Sequence, residues 1–253
     1  MPLREIDISE NLLPRHNGVM RALARVTAVI GSDAWCLVGG MMVLVAARAA
    51  GGRLPRAEQT KDGDVLVDVH MDAKALGRVV AALEDFGFTP APPFRNSDTR
   101  CTFTSAFGQI DVLCPDDATE EMLKARGATS LAIPGGRRAL ELSEPVTLIY
   151  DDPNHVDLQV PLLPSAILVK AAAVLFPPTA GQARHIQDVA GMLSVLGAHP
   201  QDPAATLSEA DFALLAQLSE RLTNPEDDAW NGMANADRED ALAAYRLLLS
   251  REP

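Results

Sequence analysis

Hydrophobic positions recur at helical spacing from Asn11 to Ile30, through Leu12, Val19, Leu23, Val26 and Ile30, and predict a first helix with Pro14 in its opening turn. The pattern then tightens. Trp35 to Val38 is a short apolar run that ends at Gly39-Gly40, as a strand does, and Met41 to Ala50 reads as the helix that follows. After the polar loop Arg53–Lys61, the run Gly63 to His70 reads as a strand, Ala73 to Phe86 as a helix, and Arg100 to Ser105 and Gln109 to Cys114 as two more strands. A short helix is expected over Thr119–Arg126, and strands over Leu140–Leu142, Val146–Tyr150 and Val156–Val160. From Pro164 onward the period is helical: Ser165–Leu175, Gln182–Leu196, Ser208–Leu222 and Asp237–Leu249. The expected fold is α+β, a small mixed β-sheet core with helices on it over residues 1–160, followed by a helical region over 161–253.

Composition removes several function classes. The chain has 253 residues and a formal charge of -12, which opposes non-specific nucleic-acid binding, a process that rests on Lys and Arg meeting phosphates. A local basic groove remains open, with Lys124, Arg126, Arg137 and Arg138 as its candidates. Three scattered cysteines make no disulfide framework, and the five histidines have no metal-ligand spacing, which argues against zinc. The N-terminal stretch lacks the apolar core of a signal peptide, and no apolar run approaches the ~20 residues of a membrane span. A cytoplasmic protein with no membrane partner is the expectation.

Against this background, carboxylates inside apolar strands stand out. "TKDGDVLVDV" places Asp62 and Asp64 at the head of a run of Val and Leu. Side chains two apart on a strand share a face, and their Cα atoms lie about 6.5 Å apart, close enough for both carboxylates to reach one divalent ion. Asp68 has the same parity but is carried away to the far end. Asp111, in "QIDVLC", is a second lone carboxylate in an apolar strand, for which a solvent-facing edge position is the plainer reading when it is taken alone. Taken together, three carboxylates on neighbouring strands are able to hold Mg²⁺ and support in-line phosphoryl transfer. Gly39-Gly40, opening a helix, allows phosphate to approach backbone N–H groups, although such a turn is more often plain geometry.

Gly39-Gly40, then Thr60-x-Asp62-x-Asp64, then Ile110-Asp111-Val112-Leu113 resembles the nucleotidyltransferase superfamily that includes DNA polymerase β. "LVGG" followed by "TKDGD" is similar to the AbiEii/MenT group, nucleotidyltransferase-like toxins of bacterial toxin–antitoxin and phage-defence systems. The resemblance covers an ordered set of short motifs between Trp35 and Leu196. It implies a nucleotidyltransferase core, an NTP such as ATP as substrate and Mg²⁺ or Mn²⁺ held by Asp62, Asp64 and Asp111. It implies Gly39, Gly40 and Thr60 as nucleotide-binding positions, and a hydroxyl acceptor in RNA (tRNA among the candidates), a protein or a small molecule. It implies an antitoxin protein as partner. It also implies an essential Lys and a later Asp in the helical region, where Lys170 and Asp188 match.

Lys170 has a second line of support. It falls on an apolar stripe with Leu163, Ile167, Ala171 and Val174, where an ammonium is costly unless it snorkels to solvent or finds a partner, Asp188 or a bound triphosphate. For Asp188, an i,i+4 bridge to Arg184 is the simple alternative. Two features depart from the family pattern: Gly63 stands where an apolar residue is usual, and the loop from Gly40 to Asp62 is long. A binding module that keeps this fold without the reaction is the competing reading.

Overall fold

The structure is a computed structural model that describes residues 3–12, 17–55, 62–92, 99, 101–151, 153–176, 182–199 and 207–250. The chain divides into two compact units, Met1–Met42 with Glu58–Pro161, and Val43–Ala57 with Leu162–Pro253.

The first unit is built on a mixed sheet. Its strands are β1 (Arg4–Asp7), β2 (Trp35–Val38), β3 (Asp62–Val67), β4 (Thr89–Pro90), β5 (Thr102–Ser105), β6 (Gly108–Pro115), β9 (Leu131–Ile133), β10 (Ser143–Asp151) and β11 (Asn154–Pro161). The order across the sheet is β1-β10-β11-β2-β3-β6-β5-β4, with β9 joining β6 beyond the end of β5. The three central strands that matter most are β2, antiparallel to β3, and β6, parallel to β3. Val65, Leu66 and Val67 are wholly buried, which is why a run with so little alternation still forms a strand. Among the described residues the sheet has nine strands, so it is not small. Its extra strands β1, β4 and β9 have two to four residues each, too short for a hydrophobic period to announce them.

Helix α1 (Asn17–Ile30) buries Val19, Leu23 and Val26 and packs with α3 (Ala75–Asp85). It starts later than Asn11; Ser9–Asn11 form a 3-10 turn, and Pro14 lies outside the described residues. Gly63 explains how closely α1 approaches β3. A Cβ there would lie 2.9 Å from Val19 Cγ1, so the glycine makes room for the helix above it. The residue is buried and paired in register to Ile110. Gly63→Ala is expected to cost about 1–3 kcal/mol through overpacking, with much of that restored in Gly63→Ala/Val19→Ala, measured by urea denaturation.

Two expected elements are different in the structure. Thr119–Arg126 is not a helix but turns leading into a hairpin of β7 (Lys124–Ala125) and β8 (Ala128–Thr129). The two turn residues Arg126 and Gly127 both have positive φ, 49° and 78°, the geometry of a tight hairpin turn. Leu140–Leu142 is not a strand but the end of α4 (Gly136–Glu141). That helix is started from a distance: the Asp116 carboxylate accepts from the backbone N–H of Gly135 and Arg137, at 3.1 and 2.9 Å.

The second unit holds the rest of α2 (Gly39–Ala49), whose first residues belong to the sheet unit, and α5 (Leu163–Leu175), α6 (Gln182–Ala198), α7 (Glu209–Ala216), α8 (Ser219–Thr223) and α9 (Asn235–Ser250). Helix α6 packs against both α5 and α9. Ser208–Leu222, expected as one helix, is two. A capping box of Ser208 and Asp211 starts α7, and Tyr245 of α9 donates to the Leu215 carbonyl near its end. Among the described residues no helix is long and apolar enough to cross a membrane.

Candidate active site

The site is positioned by the turn from β2 into α2. Val38, the last residue of β2, is the register partner of Asp64 on β3. Gly39 follows with φ 72°, a left-handed conformation that glycine adopts without strain, and α2 begins there. A methyl group on Gly39 would collide with the carboxylate and the Cβ of Asp64. The glycine therefore serves both the turn and the seating of Asp64 against it. Gly40 lies in the first turn of α2.

The register of β3 and β6 assembles the carboxylates. Asp64 is the direct partner of Asp111, and Asp62 is the partner of Gln109, on adjacent parallel strands. Adjacent strands run about 4.8 Å apart, so Asp62, Asp64 and Asp111 share one face within reach of one another. All three are half-buried. On the far side of β6, Thr102 of β5 is the partner of Asp111. Asp111 is thus an interior strand residue, not an edge residue facing solvent. Thr60 lies outside the described residues.

Burial pushes the Asp111 carboxyl above the ordinary aspartate value, and the negative charge of Asp62 pushes it further in the same direction. Hydrogen bonding from Thr102 and Gln109 works against this. The Gln109 amide Nε2 donates to both Asp111 oxygens, at 3.2 and 3.4 Å. Period-two alternation already places Gln109 and Asp111 on one face, yet Gln109 and Thr102 are site residues that the sequence reading passed over. Asp68 does sit apart, capping the turn after β3 by accepting from the N–H of His70 and Met71.

Among the described residues, no three His, Cys, Asp or Glu side chains are gathered tightly enough to form a finished metal cage. The donor set nevertheless suits a hard divalent cation. It is all oxygen, it comes from adjacent strands in register, and a cation would offset the burial cost of the Asp111 charge and its repulsion by Asp62. The residues that would hold Mg²⁺ are Asp62, Asp64 and Asp111.

No protein-family model matches the chain, and no curated protein gives a significant match to it.

In the helical unit, Lys170 of α5 and Asp188 of α6 form an ion pair at 2.7 Å, with both side chains only 6% exposed. The cation on the apolar stripe has found a carboxylate across the helix pair rather than snorkelling to solvent. His185, one turn before Asp188, adds a titratable group whose Nδ1 is buried with no hydrogen-bond partner among the described residues. Burial first, and then the Lys170 and Arg184 charges, lower its pKa below the ordinary 6.5, with Asp188 opposing. A lowered histidine value means the unfolded chain takes up the proton first. The stability this neutral histidine allows is complete above pH 6.5 and is lost as pH falls below it. His185→Gln is expected to flatten stability between about pH 7 and 5 relative to wild type, measured by denaturant midpoints across that range.

Three arginines of the basic cluster have carboxylate neighbours. Arg137 and Arg138 both bond to Glu141 at 3.1 Å, Arg137 also lies near Asp117 and Asp68, and Arg126 pairs with Glu84 at 3.3 Å. These pairs lie on the surface, where an ion pair holds its cation only weakly.

Proposed function

We propose that the sheet unit carries a metal-dependent nucleotidyltransferase site that moves a nucleoside monophosphate from an NTP to a hydroxyl acceptor. One observation carries the proposal: the β3–β6 register sets Asp64 beside Asp111, with Asp62 two residues away on the same face and Gly39 seated under Asp64. Asp62, Asp64 and Asp111 would hold Mg²⁺, which supplies charge neutralisation of the triphosphate when bound. Asp111, more basic than an ordinary aspartate, takes the acceptor's hydroxyl proton as that oxygen attacks the α-phosphate. The bond from the α-phosphate to pyrophosphate breaks, and the acceptor keeps the nucleoside monophosphate. The start of α2, lined by Gly39 and Gly40, offers backbone N–H groups to phosphate oxygens. Catalysis is then mainly positioning and charge compensation.

The family resemblance implies an essential role for Lys170, whose ammonium is paired with Asp188. The wider setting follows from that resemblance alone: a cytoplasmic toxin or phage-defence component, with an antitoxin protein as partner. The second reading is a binding module that has kept the fold. The absence of a finished three-residue cage among the described residues favours it.

The test is Mg²⁺-dependent release of pyrophosphate from each of the four NTPs, with label from the α-phosphate followed into RNA, protein and small-molecule fractions. Acceptor-dependent label transfer is expected. Nucleotide binding with no pyrophosphate under any condition would support the binding module instead.

A further inference from the structure

The Gln109 amide makes a forked contact that nothing in the reaction proposed above uses. Its Nε2 approaches both oxygens of Asp111, at 3.2 and 3.4 Å, which is how a cation approaches a carboxylate held by its two oxygens. Gln109 sits beside a second charge as well: its own strand partner is Asp62, and the partner of Asp111 is Asp64. Asp62 puts a like charge near the half-buried Asp111, and a neutral amide turned N–H toward it, together with Thr102, offsets this without adding charge. A glutamine at this strand position could equally have pointed its side chain along the sheet to solvent; here it is turned onto the carboxylate.

We propose that Gln109 is a positioning residue that stands in for the cation: its amide holds Asp111 in the metal-free protein and must leave when a divalent ion binds. This rests on the metal-dependent reading of the site. Gln109 therefore stabilises the metal-free fold and competes with the metal. Both signs are specific. A ligand would strengthen metal binding, and a bystander would leave it unchanged.

The test uses Mn²⁺ alone with the full chain, titrated by the electron paramagnetic resonance of the free ion, together with the melting temperature in EDTA. Gln109→Met keeps the side-chain length and removes the amide. It is expected to bind Mn²⁺ about threefold to tenfold more tightly than wild type, the equivalent of one hydrogen bond no longer given up, and to melt lower in EDTA. Gln109→Glu, which turns the stand-in into a fourth carboxylate, is expected to melt lower still in EDTA and to recover with Mn²⁺. This gives a second reading should Gln109→Met fold poorly. Weaker or unchanged Mn²⁺ binding in Gln109→Met, with wild type binding the ion at a site lost in Asp62→Asn/Asp64→Asn, overturns the stand-in role and leaves the functional reading intact. Wild type that binds no Mn²⁺ overturns both.

Discussion

Replacing Asp62 and Asp64 together with asparagine is expected to abolish nucleotidyl transfer while leaving the fold in place. Losing an outer partner at a metal site commonly costs 10- to 100-fold, and losing two direct ligands costs more, so activity should fall beyond about 100-fold. The accompanying stability change gives the prediction its edge. Burial raises the Asp111 carboxyl and the charge of Asp62 raises it further, while hydrogen bonding with Asp64 works the other way. Asparagine at 62 removes that repulsion and asparagine at 64 keeps a side chain able to hydrogen-bond to Asp111, so the metal-free variant should melt no lower than wild type. A structural role for these carboxylates predicts the reverse, a variant that unfolds more easily. Melting in EDTA and label transfer, on the same preparation, separate the two. Transfer at wild-type rate in the double variant would contradict the assignment of these residues.

The second large effect is in the helical unit. Lys170 and Asp188 are both 6% exposed and 2.7 Å apart, so removing one leaves the other charged among apolar side chains. Lys170→Met is expected to cost about 3–5 kcal/mol. Removing both charges, in Lys170→Met/Asp188→Leu, should cost far less and is expected to fall between neutral and about 1–4 kcal/mol stabilising, because desolvating the pair is itself expensive. Urea denaturation of the two single variants and the double variant measures the coupling. A single variant that loses less than about 1 kcal/mol would show that the carboxylate reaches water or protonates at little cost. Such a result would detach the pair from the stability of the α5–α6 packing.

The parts of the fold legible in the sequence were those written in local pattern. Val65 to Val67 and Trp35 to Val38 read as strands because unbroken apolar runs bounded by Gly and Asp have few other uses, and α5, α6 and α9 follow a helical period. What local pattern does not hold is pairing. That Asp64 faces Asp111, with Asp62 two residues away on the same face, depends on the parallel register of β3 and β6, strands more than forty residues apart. The same holds for α4: its start depends on Asp116, about twenty residues upstream, so Leu140 to Leu142 looked like a strand when seen alone. Lys170 could be singled out as a costly cation, but the choice among solvent, Asp188 and a ligand is made by the packing of α5 on α6. Gln109 was within reach of period-two reasoning. It went unnoticed because a neutral amide in a strand raises no question of cost.

The most direct measurement is thermal stabilisation by each NTP, with and without Mg²⁺, on wild type and on Asp62→Asn/Asp64→Asn. A metal-bound nucleotide site predicts that at least one NTP raises the melting temperature of wild type only when Mg²⁺ is present, and that this rise vanishes in the double variant. Stabilisation that survives the double substitution, or no shift of wild type by any NTP with Mg²⁺, would contradict the central claim that these aspartates hold a nucleotide–metal complex.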